Sequence, residues 1–215
     1  MPLDILYEDE AMIFVDKPSG IVVQRSHDAT EPVLVEEVAA YLEPSGQRCF
    51  LMQRLDRGTT GVIFFTKLAS INAGVTRQFE RKRLRKLYLA LAEGEISEAQ
   101  TIEAPLTRIG PISFGVRAGG KHSVTSVTPL ASSRQASFLD IQLRTGRTHQ
   151  IRVHLAAIGH PLVGDWLYGD RDASRPMLHA STIEMIHPLT QQPLVVSSPL
   201  PEDFREAARE RGVVL

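Results

Sequence analysis

The segment that most constrains the fold is residues 53–62, which read Gln-Arg-Leu-Asp-Arg-Gly-Thr-Thr-Gly-Val. It places Asp56 between Arg54 and Arg57, and the apolar run Val-Ile-Phe-Phe of residues 62–65 follows at once. Because that run has no helical period, it predicts a buried strand. The charged residues before it are then expected in a loop at the rim of a core, where nearby cations keep a carboxylate ionised at neutral pH. Such a carboxylate is either a structural ion-pair partner or a nucleophile.

The rest of the chain mixes strand patterns with amphipathic helices. Helical spacing of apolar residues predicts helices, and period-two alternation predicts strands. The predicted helices lie at residues 34–42, 68–79, 148–158 and 202–211, and the predicted strands at residues 3–7, 12–15, 87–92, 123–127 and 138–143. Since no regular βαβ rhythm is visible, we predict the α+β class, with a mixed, largely antiparallel central sheet flanked by helices and loops.

Two local features refine this pattern. Residues 107–121 are rich in glycine and basic groups, which predicts a loop or a mobile hairpin. Thr148 precedes the third predicted helix and is a plausible N-cap, because its hydroxyl could accept a bond from a free backbone N–H. Gly159 and Pro161 would end that helix.

Composition excludes several classes of protein. With 215 residues, 43% hydrophobic and 23% charged, the chain is typical of a soluble globular protein. No run approaches the ~20 apolar residues of a membrane span, and the acidic N-terminus lacks the pattern of a signal peptide. Cys49 is the one cysteine, so an internal disulfide is impossible and a cytoplasmic location is the simplest interpretation.

The charges are unevenly distributed along the chain. Residues 1–50 hold 3 basic and 10 acidic side chains, whereas residues 51–91 hold 9 basic and 2 acidic. A chain with a net charge of −1 can therefore still present a basic face to a polyanion. The alternative is a solvated helix surface, and charge alone does not decide between the two.

Motifs for metal, nucleotide and hydrolase chemistry are missing. His149 and His154 are five residues apart, so they would not share a face of a helix, and His160 lies beyond Gly159. No glycine-rich phosphate loop with Lys-Ser/Thr occurs, and no Gly-x-Ser-x-Gly elbow. The polar groups that remain are Asp56, Tyr88 on its strand, and Arg152, which needs a carboxylate partner if buried. Asp56 is the candidate for that partner.

Several segments together resemble the RluA-type pseudouridine synthases. Residues 53–61 resemble that family's His-Arg-Leu-Asp-x-x-Thr-Ser-Gly motif, and Lys-Leu-Tyr-Leu-Ala at residues 86–90 resembles its Lys-x-Tyr-x-Ala segment. Two further motifs match in family order, one at residues 17–20 and one at residues 144–154, which residues 159–165 and 168–169 continue. The resemblance runs from about residue 4 to about residue 200, and four motifs in order are a specific signal.

The resemblance implies a fold, an activity and a set of site residues. The fold would be that of a single pseudouridine synthase domain over residues 1–215 with a central active-site cleft, without a separate S4 RNA-binding domain. The protein would isomerise uridine in structured RNA, either tRNA or large-subunit rRNA, without cofactor or metal, as a monomer. The implied catalytic residues are Asp56, Tyr88 and Arg152, and the implied RNA-binding residues are Arg54, Arg57, Lys86, Arg147 and His149.

Two departures from the family pattern flank Asp56. Gln53 stands where the family has His, and Thr60 where it has Ser. Two other functions compete with the synthase: a non-catalytic RNA-binding protein with the same fold, and a nucleoside hydrolase that uses Asp56. The first is disfavoured because Asp56, Tyr88 and Arg152 are intact, and the second because a small substrate needs no basic segment.

Overall fold

The computed structural model describes residues 3–25, 33–169 and 175–215. The helices are α1 (Leu34–Leu42), α2 (Ala69–Glu80), α3 (Gln150–Ala157) and α4 (Glu202–Glu210). The strands are β1 (Asp4–Glu8), β2 (Met12–Lys17), β3 (Phe50–Leu51), β4 (Thr60–Thr66), β5 (Arg85–Glu93), β6 (Gln100–Glu103), β7 (Leu106–Arg108), β8 (Phe114–Val116), β9 (Val124–Ser132), β10 (Ala136–Leu143), β11 (Leu178–Ile186) and β12 (Pro193–Ser197). None of the helices in the described parts of the chain is long and apolar enough to cross a membrane.

The first of two compact units comprises Met1–Lys86 and Ala180–Pro199. Its strands run in the order β1-β2-β4-β11, with β3 paired to β4 and β12 to β11. β2 and β4 pair antiparallel from Met12 opposite Thr66 to Lys17 opposite Gly61. Every residue of β4 is buried, as its unbroken apolar run predicts. Stacked rings of Phe14 and Phe64, with centroids 5.2 Å apart, lie in this core.

The second unit comprises Leu87–His179 and Leu200–Leu215. Its strands run in the order β5-β10-β9-β6, and their pairings are antiparallel. Helix α4 packs Phe204 against Phe138 of β10, with ring centroids 6.0 Å apart. The hairpin β7–β8 lies within residues 107–121 and their flanks, where a loop or hairpin was predicted. The predicted α+β class is confirmed.

The prediction that Thr148 is the N-cap of α3 is wrong. His149, not Thr148, is the N-cap, and no side chain caps the helix there. His149 adopts the left-handed backbone conformation, with φ of 56°. The Gln150 side chain folds back to accept a hydrogen bond from the Arg147 N–H at 3.1 Å, so this residue ties the incoming turn to the helix.

Candidate active site

The Asp56 loop, residues 53–59, connects β3 to β4 in the first unit. Leu55 is buried, whereas its neighbours Arg54 and Arg57 are exposed and Asp56 is half-buried. The Thr59 N–H donates to the Asp56 carbonyl at 3.1 Å, which closes a turn directly after the carboxylate. The loop therefore lies at the rim of the core, as the sequence predicts, with its cations facing solvent.

Lys17 fastens this loop to the end of β2. Its side chain is 0% exposed, and the ammonium donates to the Pro18 carbonyl at 2.8 Å and to the Arg57 carbonyl at 3.1 Å. The Gly20 N–H donates to the same Arg57 carbonyl at 2.9 Å. The Arg57 guanidinium in turn donates to the Gly20 carbonyl at 3.1 Å. Residues 17–20 thus hold the backbone immediately after Asp56 by charge-assisted bonds, which are stronger than neutral ones.

Gly61 closes the other end of the loop. Its φ of 108° lies in a region that L side chains rarely adopt. A Cβ there would lie 2.8 Å from the amide nitrogen and the carbonyl carbon of Ala180 on β11, and closer still to the carbonyl oxygen. Only glycine lets β4 approach β11 so closely at the point where the loop enters the sheet.

Gln53, the residue that departs from the family pattern, is buried at 9% exposure. Within the described residues neither polar atom of its amide has a hydrogen-bond partner, and the same holds for the Thr59 hydroxyl. A buried polar group without a partner costs about 1–3 kcal/mol. Within the part of the chain that the structure describes, the hydrogen-bonding capacity of the Gln53 amide is therefore not used.

In the second unit, Arg152 forms a buried ion pair with Asp165. The Arg152 side chain is 4% exposed and that of Asp165 is 0% exposed. The pair is bidentate: Nε donates to Oδ2 and Nη2 to Oδ1, both at 2.7 Å. A buried arginine needs a carboxylate partner, and within this unit that partner is Asp165. The sequence motifs include Asp165 but gave it no role. The predicted pairing of Arg152 with Asp56 stays a prediction.

Asp165 also orders the turn that follows it. Its Oδ1 accepts the N–H groups of Leu167 at 3.0 Å and Tyr168 at 3.2 Å. This turn sets the aromatic rings of Trp166 and Tyr168 beside Arg152, with the guanidinium carbon 6.0 Å and 5.1 Å from the ring centroids. One carboxylate therefore fixes the arginine and two aromatic rings together.

A buried polar network fastens α3 to β9. The Gln150 amide donates to the Val124 carbonyl and to the Thr125 hydroxyl, both at 3.0 Å, and accepts from the Thr145 hydroxyl at 2.7 Å. The Thr125 hydroxyl lies 2.9 Å from Nδ1 of His154, whose Nε2 lies 3.1 Å from the Ala104 carbonyl. Burial lowers the pKa of His154, although its bond to the Ala104 carbonyl opposes that shift. His154 thus has a packing role in this network.

His149 takes part in a contact between α3 and the hairpin β7–β8. Its Nδ1 lies 2.8 Å from the Tyr168 hydroxyl, which also accepts the Phe114 N–H at 2.9 Å. The His149 ring packs edge-on against Phe114, with centroids 5.6 Å apart. These contacts hold the His149 side chain at the helix start, where its backbone is left-handed. Its predicted contact with RNA stays a prediction.

The other predicted site residues lie as follows. Tyr88 is buried on β5, opposite Ile141 of β10. Lys86 is half-buried, its ammonium lies 5.6 Å from the Phe79 ring centroid, and burial lowers its pKa. Arg147 is exposed on the turn before α3. Lys86 is thus less open to phosphate than the exposed Arg147.

The two units divide these residues between them. The first unit holds Arg54, Asp56, Arg57 and Lys86, and the second holds Tyr88, Arg147, His149 and Arg152. Sequence analysis assigned no role to Lys17 or Asp165. Lys17 could have been found only from its place in the motif at residues 17–20. No local pattern links it to its partner Arg57, because Arg57 lies forty residues away along the chain. In the described residues no cluster of three or more His, Cys, Asp or Glu could hold a metal ion.

Comparison with known proteins places this arrangement in a family. The family model described as RNA pseudouridylate synthase matches residues 11–157, which include Lys17, Asp56, Tyr88 and Arg152. Among solved structures, human RNA pseudouridylate synthase domain containing 4 superimposes with a TM-score of 0.82 at 20% identity, covering 99% of this chain and 94% of that one. That likeness shows the fold.

Bacterial relatives are closer in sequence. An uncharacterised RNA pseudouridine synthase of Bacillus subtilis is 38% identical over 96% of this chain and 72% of its own length. The tRNA pseudouridine synthase C of Vibrio cholerae is 34% identical over 98% of this chain and 96% of its own. The ribosomal large subunit pseudouridine synthase D of Nitrosomonas europaea is 35% identical over 95% of this chain and 64% of its own. The chain therefore belongs to the RNA pseudouridine synthase family, the isomerases that convert uridine in RNA to pseudouridine.

Proposed function

We propose that Asp56 is the catalytic carboxylate of this synthase and that the substrate is a uridine in tRNA, in large-subunit rRNA or in both. The observation that supports the catalytic role is the loop that holds Asp56. Lys17 and Gly20 bind the Arg57 carbonyl directly after it, and Thr59 closes the turn. Positioning of this kind is what a reacting group requires, because a small misplacement costs much of the rate.

The reaction rearranges bonds within one nucleotide. The bond between uracil N1 and ribose C1′ breaks, the base turns, C5 joins C1′, and the proton on C5 is lost while N1 gains one. Nothing is oxidised or hydrolysed. Asp56 starts the cleavage as a nucleophile or as a base, and Tyr88 stacks on the uracil and assists removal of the C5 proton. Arg152 keeps Asp56 ionised and oriented.

The exposed cations of the site supply RNA contacts. A base in structured RNA must leave the helix before it reacts, which costs a few kcal/mol. Arg54 is exposed two residues from Asp56, and its planar guanidinium can stack in the space that the base leaves. Arg57, Lys86, Arg147 and His149 are assigned to phosphate and ribose contacts, which position the RNA.

The choice of RNA rests on the relatives. The Vibrio cholerae relative is named for tRNA and the Nitrosomonas europaea relative for the large ribosomal subunit. We infer that this protein modifies one or both of these RNAs in the cytoplasm, as a monomer. Mapping pseudouridine in tRNA and rRNA from cells with and without the gene identifies the target. A position that loses pseudouridine only in cells without the gene is the expected result, whereas identical maps would contradict the assignment.

An assay with RNA tritiated at uracil C5 separates the synthase from its two competitors. A synthase releases tritium to water and leaves pseudouridine in the chain. A non-catalytic RNA-binding protein binds the RNA without releasing tritium. A nucleoside hydrolase releases free uracil. Tritium release without free uracil is expected.

A further inference from the structure

Trp166 is the one tryptophan of the chain, and its side chain is 43% exposed. A single exposed apolar side chain is ordinary on a protein surface, so exposure alone assigns it no role. Its significance depends on the groups that surround it and on how firmly its backbone is held.

Trp166 lies at the end of a row of planar side chains in the second unit. The Phe114 and His149 ring centroids are 5.6 Å apart, and those of His149 and Tyr168 are also 5.6 Å apart. The Arg152 guanidinium carbon then lies 5.1 Å from the Tyr168 ring centroid and 6.0 Å from that of Trp166. Arg152 is buried and the other three are half-buried, so Trp166 is the exposed member of this row.

The backbone on both sides of Trp166 is fixed. The Asp165 carboxylate accepts the N–H groups of Leu167 and Tyr168, and the Gly169 N–H donates to the Asp165 carbonyl at 2.8 Å. Arg152 holds the same carboxylate through two bonds of 2.7 Å. A side chain presented by so ordered a turn loses little conformational entropy on binding, which favours affinity.

The charges beside the row suit a nucleic acid. The carboxylate of Asp165 is buried in its ion pair with Arg152, so the row presents no exposed negative charge at that end. Arg144 and Arg147 are exposed on the turn that precedes α3 in the same unit, where they are open to phosphates. Aromatic faces combined with nearby cations are the means by which proteins bind unstacked nucleotides.

We propose that Trp166 is a stacking platform for an unpaired base of the substrate RNA. The proposal rests on the proposed function for the identity of the RNA. Since every base has a π-face, such a contact adds affinity and tolerates changes of sequence. Trp166 thus contributes to RNA binding and takes no part in the bond rearrangement.

The test compares Trp166→Ala, Trp166→Phe and wild type as full chains. The probe is RNA from cells lacking the gene, tritiated at uracil C5. Loss of one stacked base is expected to raise the dissociation constant of Trp166→Ala by about 5- to 150-fold. Turnover at saturating RNA is expected to stay near the wild-type value, because binding common to ground and transition states affects KM alone. Trp166→Phe retains a ring and is expected to keep most of the affinity.

Leu130→Ala is the matched control, because Leu130 lies in the same unit, is 54% exposed and has no role in the site. The Leu130→Ala variant is expected to bind RNA with the same affinity as wild type. As Trp166 is the one tryptophan, its fluorescence reports on this position directly, and the same RNA is expected to quench it in an Asp56→Asn variant that does not turn over.

The outcomes separate the two proposals. If wild type releases tritium but Trp166→Ala binds RNA as tightly as wild type, the stacking role is overturned and the proposed function stands. If wild type releases no tritium but RNA quenches Trp166 and Trp166→Ala weakens binding, the contact stands and the proposed function fails.

Discussion

At the scale of single residues, the loop around Asp56 depends on Lys17. The buried Lys17 ammonium donates to the carbonyls of Pro18 and Arg57, and so joins residues 17–20 to the Asp56 loop. Asp56, the proposed catalytic carboxylate, is therefore held through the backbone that follows it.

Lys17→Met is expected to reduce turnover by about 100-fold, since displacement of a reacting group by about 1 Å has that effect. The unfolding free energy is expected to fall by about 1–3 kcal/mol, because buried carbonyl groups lose a charged donor. Tritium release and urea unfolding measure the two effects. The exposed Lys121→Met is the control for stability. A fully active Lys17→Met would contradict the positioning role.

The Arg152–Asp165 pair makes a single substitution hard to interpret. Arg152→Ala leaves the Asp165 carboxylate buried without its cation, which is expected to cost about 3–5 kcal/mol of unfolding free energy. The double variant Arg152→Met with Asp165→Asn removes both charges and keeps an oxygen for the Leu167 and Tyr168 N–H groups. We expect it to recover most of the stability but not turnover. Recovery of turnover as well would limit Arg152 to a structural role.

At the scale of elements, Gly61 is the point at which the Asp56 loop enters the sheet through β4. Gly61→Ala adds a Cβ that collides with the Ala180 backbone at a φ of 108°. We expect it to lower the unfolding free energy by about 2–5 kcal/mol, from strain and overpacking together. Gly46→Ala is the matched control, because Gly46 also has a positive φ but no heavy atom lies within 4 Å of its would-be Cβ. Equal losses in the two variants would show that strain alone, without the collision, accounts for the effect.

The network that fastens α3 makes stability depend on pH. Burial lowers the pKa of His154 in the folded state, so below its unfolded value of about 6.5 the unfolded chain binds more protons than the folded one. Stability is therefore expected to fall as pH drops below that value. Urea unfolding at about pH 7.5 and at about pH 5.5, roughly one unit above and one unit below that value, measures the loss. His154→Gln is expected to lose less between the two, and an identical loss would exclude His154 as the cause.

Much of this element structure could be predicted from the sequence, because it depends on local patterns. The apolar run of residues 62–65 predicted β4, and apolar spacing predicted α1, α2 and α4. The start of α3 could not be predicted in this way. Its N-cap, His149, contacts Phe114 and Tyr168, which are distant in the sequence, and the capping preference of Thr148 did not decide where the helix begins.

The site was predictable only in part, for a similar reason. Asp56, Tyr88 and Arg152 were chosen from residue type, spacing and a family resemblance. Lys17 and Asp165 act through partners forty and thirteen residues away, and no periodicity links such pairs. The sequence also could not indicate that the Gln53 amide, beside Asp56, is buried without a partner among the described residues.

At the scale of the whole molecule, each unit orders its own share of the candidate residues. The first unit fixes the Asp56 loop with Lys17 and Gly61, and the second fixes Arg152 and its aromatic neighbours with Asp165. Lys17, Gly61 and Asp165, which supply these contacts, are themselves assigned no part in the reaction. The proposed reaction therefore needs only a few side chains, and most of the polar contacts described above serve to position them.

The most direct measurement compares tritium release by wild type and by Asp56→Asn, with RNA tritiated at uracil C5 from cells that lack the gene. Asparagine has nearly the same shape but neither the charge nor the nucleophilic oxygen of the carboxylate. The account predicts release by wild type, no release by Asp56→Asn, and equal affinity of the two proteins for RNA. Release by Asp56→Asn at the wild-type rate would contradict the central claim that Asp56 is the catalytic carboxylate.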